Sequence, residues 1–142
     1  MPLARARRVA ELVALRLTLP SRVARQPLDT LLASLTPTPA CVPISARAVK
    51  SLKRDVLRTE GALRLLPWLP STCLYRALAR YTILRRTGED ATFVMGLGPK
   101  GVQDDGHAWV EIAGEPFEER GDISQYAVTF RYPPSITSVE VS

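Results

Sequence analysis

The sequence predicts an α+β fold, with helices in its first part and a small antiparallel sheet in its second. Apolar residues recur every three or four positions through much of the first 86 residues, which is the period of amphipathic helices. After residue 90 come short apolar segments, bounded by glycine and turn residues, that are typical of strands. Because helices precede strands and do not alternate with them, a parallel α/β sheet is disfavoured. The length of 142 residues fits one domain.

Prolines and capping residues set the limits of the predicted helices. The first ends at Pro20, since proline interrupts a helix interior, and the proline-rich segment 36–43 separates the second helix from the third. Gly88 lies just past the last predicted helical residue. The four predicted helices are Leu3–Leu19, Pro27–Leu35, a basic helix capped by Ser45 that runs towards Leu66 with Gly61 as a candidate break, and a helix capped by Ser71 or Thr72 that ends at Arg86.

Four short strands are predicted after the last helix. Residues 113–115 lie between two of them and contain a glycine, which is typical of a hairpin turn. In chain order the predicted strands are Ala91–Met95, Gly106–Ile112, Pro116–Glu119 and Tyr126–Tyr132.

Composition excludes several classes of protein. Two cysteines are too few for a disulfide scaffold, and a single histidine excludes a multi-histidine metal centre, so no metal or cofactor is predicted. No stretch approaches the roughly 20 apolar residues of a membrane span, so we expect a cytoplasmic protein without a membrane partner.

The charge is distributed unevenly along the chain. Residues 1–70 carry 12 basic and 4 acidic side chains, whereas residues 71–142 carry 7 basic and 10 acidic ones. Aromatic residues are few and do not interleave with the basic ones, so nucleic acid is not a predicted partner. The basic half fits either an acidic polypeptide partner or the solvated faces of helices.

Cys73 and His107 form the most informative pair in the sequence. Cys73 lies in the first turn of the fourth predicted helix, where free N–H groups and the helix dipole stabilise a thiolate. His107 is the second residue of the second predicted strand, and an imidazole there is suited to take the thiol proton and later to protonate a leaving amine. Either residue alone would be ordinary, and Cys41, in the proline-rich segment, is interpreted as structural or incidental. Together they suggest the cysteine–histidine pairing of papain-like and transglutaminase-like enzymes.

A third side chain is needed to orient the imidazole. Glu119 lies on the strand predicted to pair with the one that begins at His107, and side chains on paired strands are about 5 Å apart. Glu118 would point to the opposite face of a regular strand. Glu119 is therefore favoured as the acid. The rivals that stay open are Glu118, Asp122, Asp104, Asp105 and Glu111.

Two tryptophans and two arginines lie close to these positions in the sequence. Trp109 shares a strand face with His107 by alternation, and Trp68 lies just ahead of the predicted cysteine helix. Both are candidate substrate-binding residues, with packing in the core or on the surface as the alternative. Arg76 and Arg80 are spaced for one helix face and are predicted to form structural ion pairs, with contact to a peptide as the alternative.

Over about residues 65–120, the sequence resembles the lasso peptide biosynthesis B2 proteins. The resemblance rests on Cys73–Ala79 (CLYRALA), Leu84–Gly88 (LRRTG) and Gly106–Glu111 (GHAWVE), followed by Gly114. Those proteins are leader peptidases with a transglutaminase-like fold and a Cys-His-Asp triad. The resemblance implies Cys73 as nucleophile, His107 as base and Glu119 as the acid, where the family usually has Asp. It also implies a helical part over 1–66 and a catalytic core over 67–142, with the cysteine helix packed on the sheet.

The resemblance further implies a reaction and its partners. A cysteine peptidase would remove the leader from a ribosomally made precursor peptide and free the core amine, which a separate ATP-dependent cyclase would join to a core carboxylate. A chain of this length is expected to lack the fused leader-recognition domain and to rely on a separate B1 protein. Two alternatives stay open: a transglutaminase-type acyl transferase with an amine acceptor, and a non-catalytic adaptor for precursor and cyclase.

Overall fold

The computed structural model describes residues 2–38, 45–69, 72–98, 106–119 and 123–134. Within these ranges the helices are α1 (Pro2–Arg25), α2 (Leu28–Leu35), α3 (Ala46–Leu63) and α4 (Cys73–Arg86). The strands are β1 (Ala91–Leu97), β2 (Gly106–Ile112), β3 (Glu115–Pro116) and β4 (Ala127–Tyr132), with a short 3-10 helix at Ile123–Gln125. The predicted α+β fold is confirmed. No helix in these ranges is both long enough and apolar enough to cross a membrane.

Helix α1 continues past Pro20, so the end predicted there is wrong. Proline lacks the N–H that would bond the Arg16 carbonyl, and one helical hydrogen bond is lost. The helix continues because its apolar face stays on the core: Leu12 and Leu19 are buried, and Val23 packs one turn later. Tertiary burial of an amphipathic face contributes more to a helix than any single backbone hydrogen bond.

Helices α3 and α4 begin where their local signals indicate. Ser45 caps α3, because its side-chain oxygen accepts the Ala48 N–H at 3.2 Å, and α3 runs through its glycine without a break. Thr72 is the N-cap of α4 in an extended conformation. Gly88 follows the end of α4 with a φ of 87°, which favours glycine. Ser71, the other predicted cap, lies outside the described residues.

The strands form one antiparallel sheet in the order β3-β2-β1-β4. Strands β1 and β2 pair along their full length, so that Gly96 lies opposite His107 and Val94 opposite Trp109. The pairing of β1 with β4 shifts its register between Met95 and Gly96. Such an irregularity bends a strand locally and re-aims its side chains, here beside the start of β2.

Helix α4 packs between the sheet and α1. Ala108 and Val110 of β2 face the helices and belong to the core. By alternation, His107, Trp109 and Glu111 project to the other side of the strand. Because His107 is the second residue of β2, it lies at the end of the sheet, where it borders the same cavity as side chains of α4. The candidate site is therefore built around one end of the layer formed by α4 and β2.

Candidate active site

Cys73 is the first residue of α4. The first helical hydrogen bond joins the Arg76 N–H to the Thr72 carbonyl. The three N–H groups before it, on residues 73–75, therefore have no acceptor within the helix, and the Thr72 side chain makes no capping hydrogen bond. These N–H groups and the helix dipole favour negative charge at this end of α4, on a thiolate or on an adjacent oxyanion. The Cys73 thiol is free and half-buried against the core.

His107 contacts Glu119. The imidazole Nε2 lies 3.1 Å from Oε2 of Glu119, and both side chains are largely shielded from solvent. A carboxylate on one ring nitrogen fixes the orientation of a histidine and stabilises its charged form. With Nε2 held in this way, Nδ1 is the nitrogen that remains to exchange a proton with a thiol. The structure thus brings together two of the three residues proposed as a triad.

Glu119 reaches the imidazole from a loop, whereas the sequence predicts a regular paired strand. The hairpin pairing persists as far as the Phe117 N–H, which bonds the Val110 carbonyl at 2.8 Å. The ladder then breaks, because Glu118 has a φ of 52°, in the left-handed region that few non-glycine residues adopt. The predicted strand Pro116–Glu119 is therefore wrong beyond its start.

The rival acids are engaged elsewhere or lie outside the described residues. The Glu118 carboxylate pairs with the ammonium group of Lys53 on α3. Glu111 accepts a hydrogen bond from Trp109 Nε1 at 3.1 Å and pairs with Arg131 at 2.8 Å. Among the carboxylates that the structure describes, Glu119 is the one hydrogen-bonded to the imidazole. The rivals outside the described residues are Asp104, Asp105 and Asp122.

A buried ion pair holds the loop that carries Glu119. Arg80 of α4 donates to both carboxylate oxygens of Glu60 on α3, at 2.7 Å each. Its third nitrogen donates to the carbonyls of Phe117 at 3.1 Å and Glu118 at 3.4 Å. The two side chains of the pair are each only 6% exposed. Arg80, predicted to form an ion pair, therefore joins α3 and α4 to the segment that positions Glu119.

Two aromatic rings pack against the imidazole. The ring centroid of His107 lies 5.6 Å from that of Trp109 and 5.1 Å from that of Tyr126, and both pairs are stacked. Trp109 and Tyr126 also touch each other, with centroids 6.1 Å apart, so the three rings form a triangle. Trp109 is only 2% exposed, which leaves almost no surface for a substrate. Trp109 contacts the imidazole ring, and its predicted contact with substrate stays a prediction.

Gly96 makes room for this aromatic cluster. A Cβ added there would lie 3.0 Å from Tyr126 Cβ, 3.0 Å from the Ala127 carbonyl oxygen and 3.2 Å from the Trp109 ring. Contacts at these distances force the neighbouring atoms to move, and two of the three belong to backbone or to a Cβ that cannot rotate away. An alanine opposite His107 would therefore push against the rings that pack there.

A cavity of about 380 Å³ adjoins the His107–Glu119 pair. Its walls come from α3 and α4 on one side and from the imidazole and the Tyr126 ring on the other. Arg76, one turn after Cys73, lines it, whereas Cys73 itself is not one of the lining residues. Within the described part of the chain no hydrogen bond joins the Cys73 thiol to His107. The thiol and its proposed base are carried by α4 and β2, which pack directly on each other.

The remaining predicted site residues are placed as follows. Trp68 lies in the turn after α3 and is 66% exposed, which leaves its ring accessible, and its substrate contact stays a prediction. Cys41 lies outside the described residues. The described residues include no group of three or more His, Cys, Asp and Glu side chains arranged to hold a metal ion.

Sequence reasoning did not find Glu60, Tyr126 or Gly96 as parts of the site. Glu60 and Arg80 are 20 positions apart on different helices, and no local pattern marks their contact. Tyr126 precedes the last strand and carries no motif. Gly96 alone has a usable signal, because an isolated glycine in a strand indicates a bulge or a close approach of another group.

A family model described as the transglutaminase-like superfamily matches residues 4–131. The match runs from α1 into β4 and spans Cys73, His107 and Glu119. No curated protein and no solved structure gives a significant match to the chain.

Proposed function

The chain belongs to the transglutaminase-like superfamily, and on that premise we propose that it is a cysteine peptidase that removes the leader from a lasso peptide precursor. The observation that supports the reaction type is the hydrogen bond between His107 and Glu119. His107 lies on the strand against which the helix that begins at Cys73 packs. The substrate class rests on the segments around Cys73 and His107, which resemble those of lasso peptide B2 proteins. We place the reaction in the cytoplasm, where thiols stay reduced.

In the proposed mechanism Cys73 is the nucleophile. Nδ1 of His107 takes the thiol proton, and the thiolate attacks the carbonyl carbon of the bond between leader and core. The oxyanion forms next to the free N–H groups at the start of α4, which stabilise it. When the C–N bond breaks, His107 gives its proton to the departing core amine, and the leader remains as a thioester on Cys73.

Water completes the proposed reaction. His107 takes a proton from a water molecule whose oxygen attacks the thioester, the leader leaves with a free carboxylate, and the thiolate recovers its proton. Glu119 stays ionised and stabilises the imidazolium in both steps. The freed core amine is then the substrate of a separate cyclase. An amine in place of the water would give acyl transfer, so the acceptor alone separates the two reactions.

The partner proposed for leader recognition is a separate B1 protein, docked on the basic surface between α1 and α3. A groove there is lined by five cationic side chains, Arg5, Arg8, Arg47, Lys50 and Arg54. Asp55 neutralises part of this charge, because it pairs with Arg5 at 3.2 Å and with Arg8 at 2.7 Å. An acidic segment of the partner would complement the rest. Such docking weakens as salt rises from about 50 to about 300 mM, and binding that is indifferent to salt would contradict it.

The function is tested by mass spectrometry of the precursor peptide after incubation with the protein, with and without B1. Cleavage at one junction is expected, and Cys73→Ala is expected to reduce it by about 10⁴-fold or more, because the covalent route is lost. Cys41→Ala is the matched control, since it removes the other thiol and is expected to leave cleavage intact. Iodoacetamide should alkylate the Cys73 thiol, because the thiolate of a nucleophilic cysteine reacts with it.

Each other outcome points to a different function. An intact precursor under both conditions, with folded protein, would favour the adaptor. A gain in mass without cleavage would favour acyl transfer. Cleavage that survives Cys73→Ala would remove Cys73 from the mechanism.

A further inference from the structure

Four arginines gather around one carboxylate beside the proposed catalytic pair. Glu60 lies on α3, Arg64 directly follows that helix, Arg76 and Arg80 lie on α4, and all four line the cavity next to His107. A further arginine, Arg16 of α1, is buried and close enough to the other guanidinium groups and to Glu60 for their charges to act on it. Cationic side chains from different parts of the chain thus lie near Glu60.

The carboxylates that line this cavity are already engaged. Glu60 uses both oxygens on Arg80, Glu118 pairs with Lys53, and Glu119 bonds His107. Within the described ranges, neither Arg64 nor Arg76 has a carboxylate partner. The ion pair predicted for Arg80 is present, whereas the one predicted for Arg76 is absent from the described residues.

Burial and the nearby positive charges affect the pKa of Arg16. Burial lowers the pKa of Arg16 from its ordinary value, Glu60 opposes this, and the charges of Arg76, Arg64 and Arg80 lower it further. Like charges in a partly desolvated space repel each other more strongly than they do in water. An anion in the cavity would relieve that repulsion and would meet two guanidinium groups that have no carboxylate partner among the described residues.

We propose that the cavity binds a carboxylate of the peptide substrate, an Asp or Glu side chain near the cleaved bond, with Arg76 and Arg64 as its ligands. Guanidinium groups bind carboxylates through paired N–H donors. Arg76 lies one helical turn from Cys73, and an extended peptide covers about 3.3 Å per residue. The acidic residue therefore lies within about three residues of the cleaved bond. The inference rests on the proposed peptidase function and adds a specificity to it.

The test uses pairs of fluorogenic peptides that differ only by Glu or Gln at one position, for each of the three positions on either side of the cleaved bond. Wild-type protein is expected to cleave the Glu peptide with a KM about tenfold lower at one of these positions, the effect of one charge-assisted hydrogen bond. Arg76→Gln is expected to erase this preference through KM, and Arg64→Gln to reduce it. Arg58→Gln is the matched control, because Arg58 is exposed on α3 and outside the cavity lining.

A measurement without turnover separates this inference from the proposed function. In Cys73→Ala protein, the Glu peptide is expected to raise the thermal unfolding midpoint more than its Gln twin, and Arg76→Gln should remove the difference. Equal cleavage of both twins, with equal binding, would overturn the carboxylate site and leave the peptidase intact. Selective binding without cleavage would overturn the peptidase and leave the site. Inorganic phosphate that competes as well as the Glu peptide would assign the site to free anions and overturn the inference.

The thermal unfolding midpoint of the protein without peptide is a second readout. A purely structural role for Arg76 predicts the opposite change in this midpoint. A structural ion pair predicts that Arg76→Gln lowers the unfolding midpoint. The cationic cluster predicts that the midpoint stays the same or rises, since the variant removes one repelling charge. A clear fall would contradict the inference.

Discussion

The two halves of the candidate site are held in different ways. The position of Cys73 depends on local structure. Cys73 is the first residue of a helix and lies next to the free N–H groups that every helix start provides. His107 is set by tertiary contacts with Glu119, Trp109 and Tyr126. The setting of the proposed nucleophile thus depends on one helix, whereas that of the proposed base depends on contacts between distant parts of the chain.

Because of this difference, substitutions near His107 and substitutions in α4 are expected to have different effects. Substitutions around the base should lower the rate of peptide cleavage while Cys73 remains open to alkylation. Substitutions in α4 that leave its start intact should affect stability more than the reactivity of the thiol. Three substitutions around His107 test this difference, from the largest expected effect to the smallest.

The strongest is Glu119→Gln. The amide cannot stabilise the imidazolium, and kcat is expected to fall by about 10²- to 10⁴-fold, the usual contribution of an oriented general base. Glu118→Gln is the matched control, since its carboxylate pairs with Lys53 near the surface, where such pairs contribute at most about 1 kcal/mol. Steady-state kinetics on one fluorogenic peptide compares them. Equal losses in the two variants would mean that the loop does not select Glu119.

Next is Glu60→Gln, which breaks the buried pair with Arg80 and leaves a guanidinium group without its counter-charge. The free energy of unfolding is expected to fall by about 3–5 kcal/mol, as for other buried pairs that lose one partner. Urea unfolding measures the change. Glu11→Gln, which removes two surface ion pairs, with Arg7 and with Arg86, should cost at most about 1 kcal/mol for each pair. A loss below that level for Glu60→Gln would show that Arg80 is held mainly by the carbonyls of the loop.

Gly96→Ala has the smallest expected effect. The added methyl group meets Tyr126 and Trp109, and overpacking of this kind costs about 1–3 kcal/mol of stability. The activity is expected to fall while iodoacetamide still reacts with Cys73, because the displaced rings belong to the base side. Gly61→Ala is a stability control: nothing lies within 4 Å of an added Cβ there, and alanine in a helix interior should stabilise by about 0.5–1 kcal/mol. Full activity in Gly96→Ala would show that the stacked rings do not orient His107.

The sequence predicted what depends on near neighbours. The Ser45 cap, the glycine after α4 and the shared face of His107 and Trp109 each follow from a local pattern, and each is present. The prediction of a helix end at Pro20 failed because burial of Leu19 and Val23 decides that point, and burial is not a local property.

The predicted contact between Glu119 and His107 is present, but the regular strand from which it was predicted is not. Strand pairing predicted its approach to His107, yet the strand breaks at Glu118, and Arg80 fixes the loop through its carbonyls. The ion pair between Glu60 and Arg80 cannot be predicted from the residue pattern of either helix. The sequence therefore predicts Glu119 as the candidate acid but not the contacts that position it.

The hydrogen-bonded row from Trp109 through Glu111 to Arg131 has a consequence for timing. A ribosome completes α4 well before it releases Tyr126 and the strand that carries Arg131. A growing chain therefore has the Cys73 thiol at a helix start while His107, its proposed base, still lacks Tyr126 as a stacking partner. If the chain is the peptidase proposed above, cleavage therefore requires that the last strand has joined the sheet.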